Sequence, residues 1–139
     1  MTKRADIVSE LLSRLMALNL APRRELPASE EGPYPAVYLF EDVEFTKLIK
    51  PGLYEKKLAL WIEYHAEVAS VDLVYQYGNI LLGEIQAAVE IDERFAGLCI
   101  QYGMRENTLA PVGVNALGLL ICYDFTYVEE FKGYEPKRH

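Results

Sequence analysis

Glu63, His65 and Glu67 stand two residues apart in KKLALWIEYHAEV, residues 56–68, so in a β-strand all three side chains leave the same face. Two carboxylates flanking an imidazole are the raw material of a metal site or of an acid–base pair. At strand rise the triplet spans about 13 Å, with neighbours about 7 Å apart. A metal held by residues i and i+2 needs a third or fourth ligand from elsewhere, and the only other histidine is His139, the final residue. Acid–base work needs a second polar partner and a pocket, and no such pattern is present. The triplet therefore reads first as a strand surface that water wets or another protein covers. A metal or catalytic centre is the minor alternative.

Other chemistry is equally sparse. Cys99 and Cys122 lie in apolar, strand-like text without CxxC spacing, which is the pattern of reduced, packed thiols in a cytoplasmic protein. Their strands are expected to pair, so a disulfide is the secondary reading. The chain has no GxGxxG, GxxxxGK[ST] or GxSxG, so neither a phosphate-cradling turn nor a nucleophile elbow is indicated. Ser9, Ser13, Ser29 and Ser70 fall in helix, loop and cap contexts. MRENT, 104–108, gathers Arg105, Glu106 and Asn107 near a strand end, where a polar edge is the default. No catalytic residue, cofactor or metal ligand is assigned, and the chain is not expected to be an enzyme.

Charge and length bound the remaining classes. Fourteen Lys and Arg against 21 Asp and Glu give a formal charge of −7. That sign disfavours gripping nucleic acid through its phosphates, and the densest basic spot, PRRE, is interrupted by Glu25. An acidic protein lining a path for DNA without holding it stays allowed. With 139 residues, half of them apolar, the chain is expected to form one domain over 1–139, frayed at 1–4 and 132–139. No apolar run approaches about 18 residues, so no membrane span is expected. MTKRADIVSELLSRL carries Asp6, Glu10 and Arg14 where a signal peptide needs an unbroken apolar core, so export is not expected.

The elements that must position these residues follow from periodicity. Residues 5–20 form an amphipathic helix with Ile7, Val8, Leu11, Leu12, Leu15 and Leu18 in one stripe, stopped by Asn19 and Pro22. The 21–35 stretch, with four prolines, is a long loop. Strand-like text from 36 to 49 meets a Pro51–Gly52 turn and then a strictly alternating run, 54–68. These make a hairpin whose tip, around 44–57, is expected to project beyond the body. Ser70 is the expected N-cap of a second helix reaching Val89, with Leu73, Tyr77, Ile80, Leu81, Ile85 and Ala88 buried. Gly78 and Gly83 within it point either to a close neighbour or to slack selection. Strands at 98–106 and 115–128, joined by NTLAPVGV, complete the order α-β-β-α-β-β. The simplest packing is an α+β sandwich: a four-stranded antiparallel sheet with both helices on one face. Leu58, Leu60, Ile62, Leu117, Leu119, Ile121 and Phe125 would meet the helices.

Strand parity then loads the other sheet face with Tyr38, Phe40, Trp61, Leu120 and Cys122 among Glu63, His65, Glu67, Gln101, Arg105, Asp124 and Thr126. A purely solvated face is more uniformly polar, and aromatics with Arg are enriched in interfaces. The residues expected to meet another subunit, on this face and at the hairpin tip, are Tyr38, Phe40, Glu44, Lys47, Trp61, Glu63, His65 and Arg105. Cover from the 21–35 loop is the alternative explanation for the aromatics.

Taken together, the N-terminal helix, PYPAVYLFEDVEFT, EKKLALWIEYHAEV, SVDLVYQYGNILLGEIQAAV and ALGLLICYDFTYVEEF resemble the tail terminator, or tail completion, proteins of long-tailed bacteriophages, the lambda minor tail protein U group. The resemblance covers about residues 5–131. It rests on element order, on length, and on Pro35, Ala36 and Val37, then Tyr54, Leu58 and Ile62, then Tyr123 and Tyr127. It implies a non-enzymatic virion assembly protein: a homo-oligomeric ring, typically of six, seated on the tail tube protein and presented to the head–tail connector protein. DNA would pass it without specific binding, and it would act in the host cytoplasm and then in the virion tail. Two other readings stand beside it: a phage neck or head–tail joining protein, and a ferredoxin-like small-ligand or metal-binding enzyme or sensor domain.

Overall fold

Strict alternation over residues 54–68 leaves a chain only one way to bury its apolar half, which is to lie in a sheet with one face covered. In the computed structural model, which describes residues 2–20, 35–113 and 115–131, that is what occurs. The order is α1 (Lys3–Met16), β1 (Ala36–Lys50), β2 (Leu53–Glu67), α2 (Val74–Val89), β3 (Gln101–Pro111) and β4 (Ala116–Glu130). The strands form one antiparallel sheet in the order β1-β2-β4-β3. Both helices pack on one face, giving the α+β sandwich. Leu58, Leu60, Ile62, Leu117, Leu119, Ile121 and Phe125 join Ile7, Leu11 and Leu15 of α1 and Ile85 and Val89 of α2 in a single buried cluster.

Helix α1 starts earlier and stops sooner than its apolar stripe suggests. Thr2 accepts a hydrogen bond from the Ala5 amide (3.2 Å) and so caps the first turn, which puts Lys3 and Arg4 inside the helix. Asn19 at φ 59° and the Leu20 amide bonded back to the Leu15 carbonyl (3.4 Å) close it in the Schellman manner. At α2, Ser70 caps nothing with its side chain; a 3₁₀ turn over Val71–Leu73 intervenes and the α-helix begins at Val74. The buried side of α2 is also rotated from expectation. Val74, Gly78, Ile85 and Val89 face the core, whereas Tyr77 and Ile80 are 50% and 55% exposed.

Strand β3 runs from Gln101 to Pro111, so most of NTLAPVGV is strand and not connection. Ladder pairing with β4 overrides the turn-like composition, and Pro111 is tolerated because β3 is an edge strand that ends there. Cys99 consequently precedes the strand. It packs into the helix-side core while Cys122, beside Trp61 in register, faces the other way; both thiols are free. The hairpin tip does not project alone either, because β4 pairs with β2 all the way to Leu53↔Glu130. The projecting end is three-stranded.

Three register shifts reset the alternation, one of them between Leu48 and Lys50 beside the β1–β2 turn. Between Glu41 and Glu44 the β1–β2 register shifts, so beyond it the even-numbered residues of β1 face the helices. Another lies between Met104 and Glu106 in β3, with Arg105 as the extra residue. No helix among the described residues is long and apolar enough to cross a membrane. The 21–34 part of the long loop and residues 132–139 lie outside the described residues, as does the cover that the loop was expected to give the aromatics.

Candidate functional site

The face of the sheet away from the helices carries the residues that the sequence singled out, and β2 and β4 set their spacing. Register places Phe40, Trp61, Cys122 and Glu106 in one row across all four strands. Phe40 and Trp61 stack with centroids 6.5 Å apart at 13°. The Trp61 indole N–H donates to Asp42 Oδ2 (2.7 Å), a partner that sits inside the β1 bulge. Because Arg105 is the extra residue of the β3 bulge, its side chain is re-aimed over the row. Its guanidinium carbon lies 5.8 Å from the Trp61 ring centroid, and Nη2 donates to Cys122 Sγ at 3.0 Å. Asp124 stands between two cations, 3.6 Å from Arg105 and 3.7 Å from Lys57. Lys57, Gln101, Arg105 and Asp124 help to line a depression of about 300 Å³.

Burial pushes the Cys122 thiol up, against the opposing pull of the Arg105 hydrogen bond. Burial alone accounts for most of the rise of Cys99 to about 12. Both cysteines are thus held as thiols, the form that is poor as nucleophile and as metal ligand.

One strand-turn away, Tyr38 and His65 meet edge to face at 6.4 Å, and His65 Nε2 lies 3.4 Å from Glu63 Oε2. Tyr38 is nearly fully buried within the chain itself, and Glu67 is exposed beyond this pair. Among the described residues, no group of three or more His, Cys, Asp or Glu is placed to hold a metal ion.

The structure therefore brings Phe40, Trp61 and Arg105 into one cluster and Tyr38, Glu63 and His65 into a second. It separates Glu44 and Lys47. The β1 bulge turns Glu44 to the helix side, where it accepts from the Tyr127 hydroxyl (2.6 Å) and pairs with Arg4 (3.5 Å); Lys47, opposite Glu55, takes the outer face. Burial first, and the Glu44 bond second, drive the Tyr127 hydroxyl well above the ordinary phenol range.

Other features escaped sequence reasoning. Phe45, on the last row that all four strands share, and Leu48 and Ile49 on the projecting end beyond it are 63%, 58% and 50% exposed. A groove of about 400 Å³ runs between α2 and the far end of the sheet, where Tyr64 and Leu117 meet Tyr77 and Ile80. On the helix side, Arg14 is buried in a node: it pairs with both oxygens of Asp92 (3.0 and 3.1 Å), with Glu10 (2.8 Å) and with the Val89 carbonyl (2.7 Å), over the Phe95 ring. Asp92 also accepts from the amides of Phe95 and Ala96, both at positive φ, and so fixes the α2–β3 connection. The signal for the node was available: Arg14 falls among Leu11, Leu15 and Leu18 on the apolar stripe, where a charge requires a buried partner.

A scan against protein-family models and a search of curated proteins both return no match to this chain.

Proposed function

We propose that this chain is a phage or prophage tail terminator, a non-enzymatic protein that assembles into a ring, stops growth of the tail tube and offers the surface on which the head connector docks. The observation that carries the reading is the placement of large apolar side chains. Phe45, Leu48, Ile49, Tyr77 and Ile80 sit on strand and helix, yet each is at least half exposed. Apolar surface held out by rigid elements is the mark of a surface that another protein covers. The Phe40–Trp61–Arg105 cluster adds the residue types that interfaces favour.

A ring of identical subunits needs two different patches on each copy, and exposed apolar side chains occur at both ends of this sheet. The −7 charge suits a bore through which DNA slides without sticking, since unlike charges would hold it. Element order, length and the Pro35–Val37, Tyr54–Ile62 and Tyr123–Tyr127 patterns supply the resemblance that names the ring and its partners, the tube protein and the connector. On this reading the protein works in the host cytoplasm during assembly and remains in the virion tail.

Deleting the gene from the phage that encodes the chain tests the proposal. Electron micrographs of the lysate are expected to show tubes of uncontrolled length detached from filled heads. Tails of normal length joined to heads would overturn it, and normal-length tails without heads would favour a neck protein instead.

A further inference from the structure

We propose that the ring contact is made end to end: the projecting three-stranded end of one copy inserts into the groove beside α2 of the next. This rests on the ring reading above and specifies which surfaces meet. The projecting end offers Ile49 and Lys50 beside the turn, Leu48 on the helix side and Lys47 on the outer face, with Phe45 on that outer face at its base. The groove offers an apolar lining, Tyr64, Leu117, Tyr77 and Ile80, with the carboxylates of Glu67 and Glu84 beside it. Among the described residues, none of these two lysines and two glutamates forms an ion pair within its own chain. An apolar tip with two lysines thus faces an apolar groove with two glutamates, and the match is in both charge and polarity.

Geometry excludes a fold-back within one molecule. The tip lies where Leu53 pairs with Glu130, and the groove where Glu67 pairs with Ala116. Those rows are fourteen steps apart along β2, about 46 Å at strand rise. Only a second copy can bring the two together, and because the patches differ the contact is head to tail, the kind that closes into rings. At about 400 Å³ the groove falls within the range of sites that engulf small ligands, which is enough for an aromatic ring and an aliphatic neighbour. The outward rotation of Tyr77 and Ile80 on α2 then has a purpose, because both would be covered in the assembly.

Two variants, Ile49→Cys and Ile80→Cys, purified separately and mixed under mild oxidation, test the contact; Cys99 and Cys122 are buried and do not compete. The expected product is a disulfide-linked pair that forms in the mixture and in neither variant alone. In parallel, reversing Lys47 and Lys50 to Glu, or Glu67 and Glu84 to Lys, is expected to weaken self-association about tenfold, and mixing the two reversed proteins to restore it. Rings that form with unchanged concentration dependence in both reversed variants, without the cross-link, would overturn the docking while leaving the ring. A cross-link in Ile49→Cys alone would also overturn it, in favour of a symmetric tip-to-tip pair. A wild-type chain that never self-associates would remove the ring and the docking together.

Discussion

Alanine at Gly83 should stabilise the protein, and alanine at Gly78, five residues earlier in the same helix, should not. In a helix interior each glycine costs about 1 kcal/mol relative to alanine, so propensity rewards the two substitutions equally. Their surroundings differ. Gly83 is exposed, and a Cβ built there meets nothing within 4 Å beyond its own helix. Gly78 is buried, and its Cβ would land on the methyls of Leu109, which packs from β3 onto the same core. Displacing a packed leucine is overpacking and costs about 1–3 kcal/mol. The net for Gly78→Ala thus runs from about zero to about 2 kcal/mol destabilising, while Gly83→Ala gains about 1 kcal/mol. Because propensity cancels, the gap between the variants measures the Leu109 contact alone. Urea denaturation at one fixed protein concentration reads it, with an unchanged slope showing that the unfolded state is the same. Adding Leu109→Ala to Gly78→Ala should recover part of the loss as a coupling energy. Equal stabilisation by both alanines would refute the packing of α2 against β3 described above.

Three further outcomes follow from the helix-side node and the thiols. The Arg14 hydrogen bond, then that of the Ala96 amide, holds the Asp92 carboxyl far below the usual carboxylate range. A depressed carboxylate stabilises the fold above its unfolded value of about 3.9 and loses that contribution as pH falls below it. Asp92→Asn is therefore expected to lower stability at pH 7 and to flatten the decline between about pH 4 and 2, as followed by thermal unfolding. Arg14→Ala is expected to cost about 1–3 kcal/mol, since it leaves the Val89 carbonyl without its donor and opens the core over Phe95 while Asp92 and Glu10 stay in reach of water; denaturant midpoints give the figure, and a loss under 1 kcal/mol would show the node to be loose. A thiol reagent at pH 8 should label neither Cys99 nor Cys122 in the native protein and both after unfolding, given their burial and raised proton affinity.

What the sequence showed, and what it hid, divides along the length of the interactions. The alternation from Tyr54 to Val68 and the apolar run from Ala116 to Tyr127 were legible because a covered face forces period-two patterning. The bulges were not, since neither the 41–44 nor the 104–106 stretch carries a glycine or proline marker at its shift. One hidden residue in β1 was enough to exchange the faces of Glu44 and Lys47. The stripe on α2 misled for a different reason: Tyr77 and Ile80 have helical spacing, and spacing alone does not distinguish a core from a surface awaiting a partner. Asn107 and Thr108 looked like a connection because composition cannot report the ladder that β4 offers to an edge strand. The outer-face cluster was half legible. Parity placed Phe40, Trp61 and Arg105 together, but Asp42, the hydrogen-bond partner of Trp61, became visible only with the bulge.

Molecular mass in solution, by light scattering over a wide range of protein and salt concentration, bears most directly on the claim that this chain acts by docking with copies of itself. The account predicts mass rising from 15.8 kDa with concentration to a closed assembly, about 95 kDa for the six subunits that the tail terminator resemblance implies. A constant 15.8 kDa at every concentration and salt would contradict it.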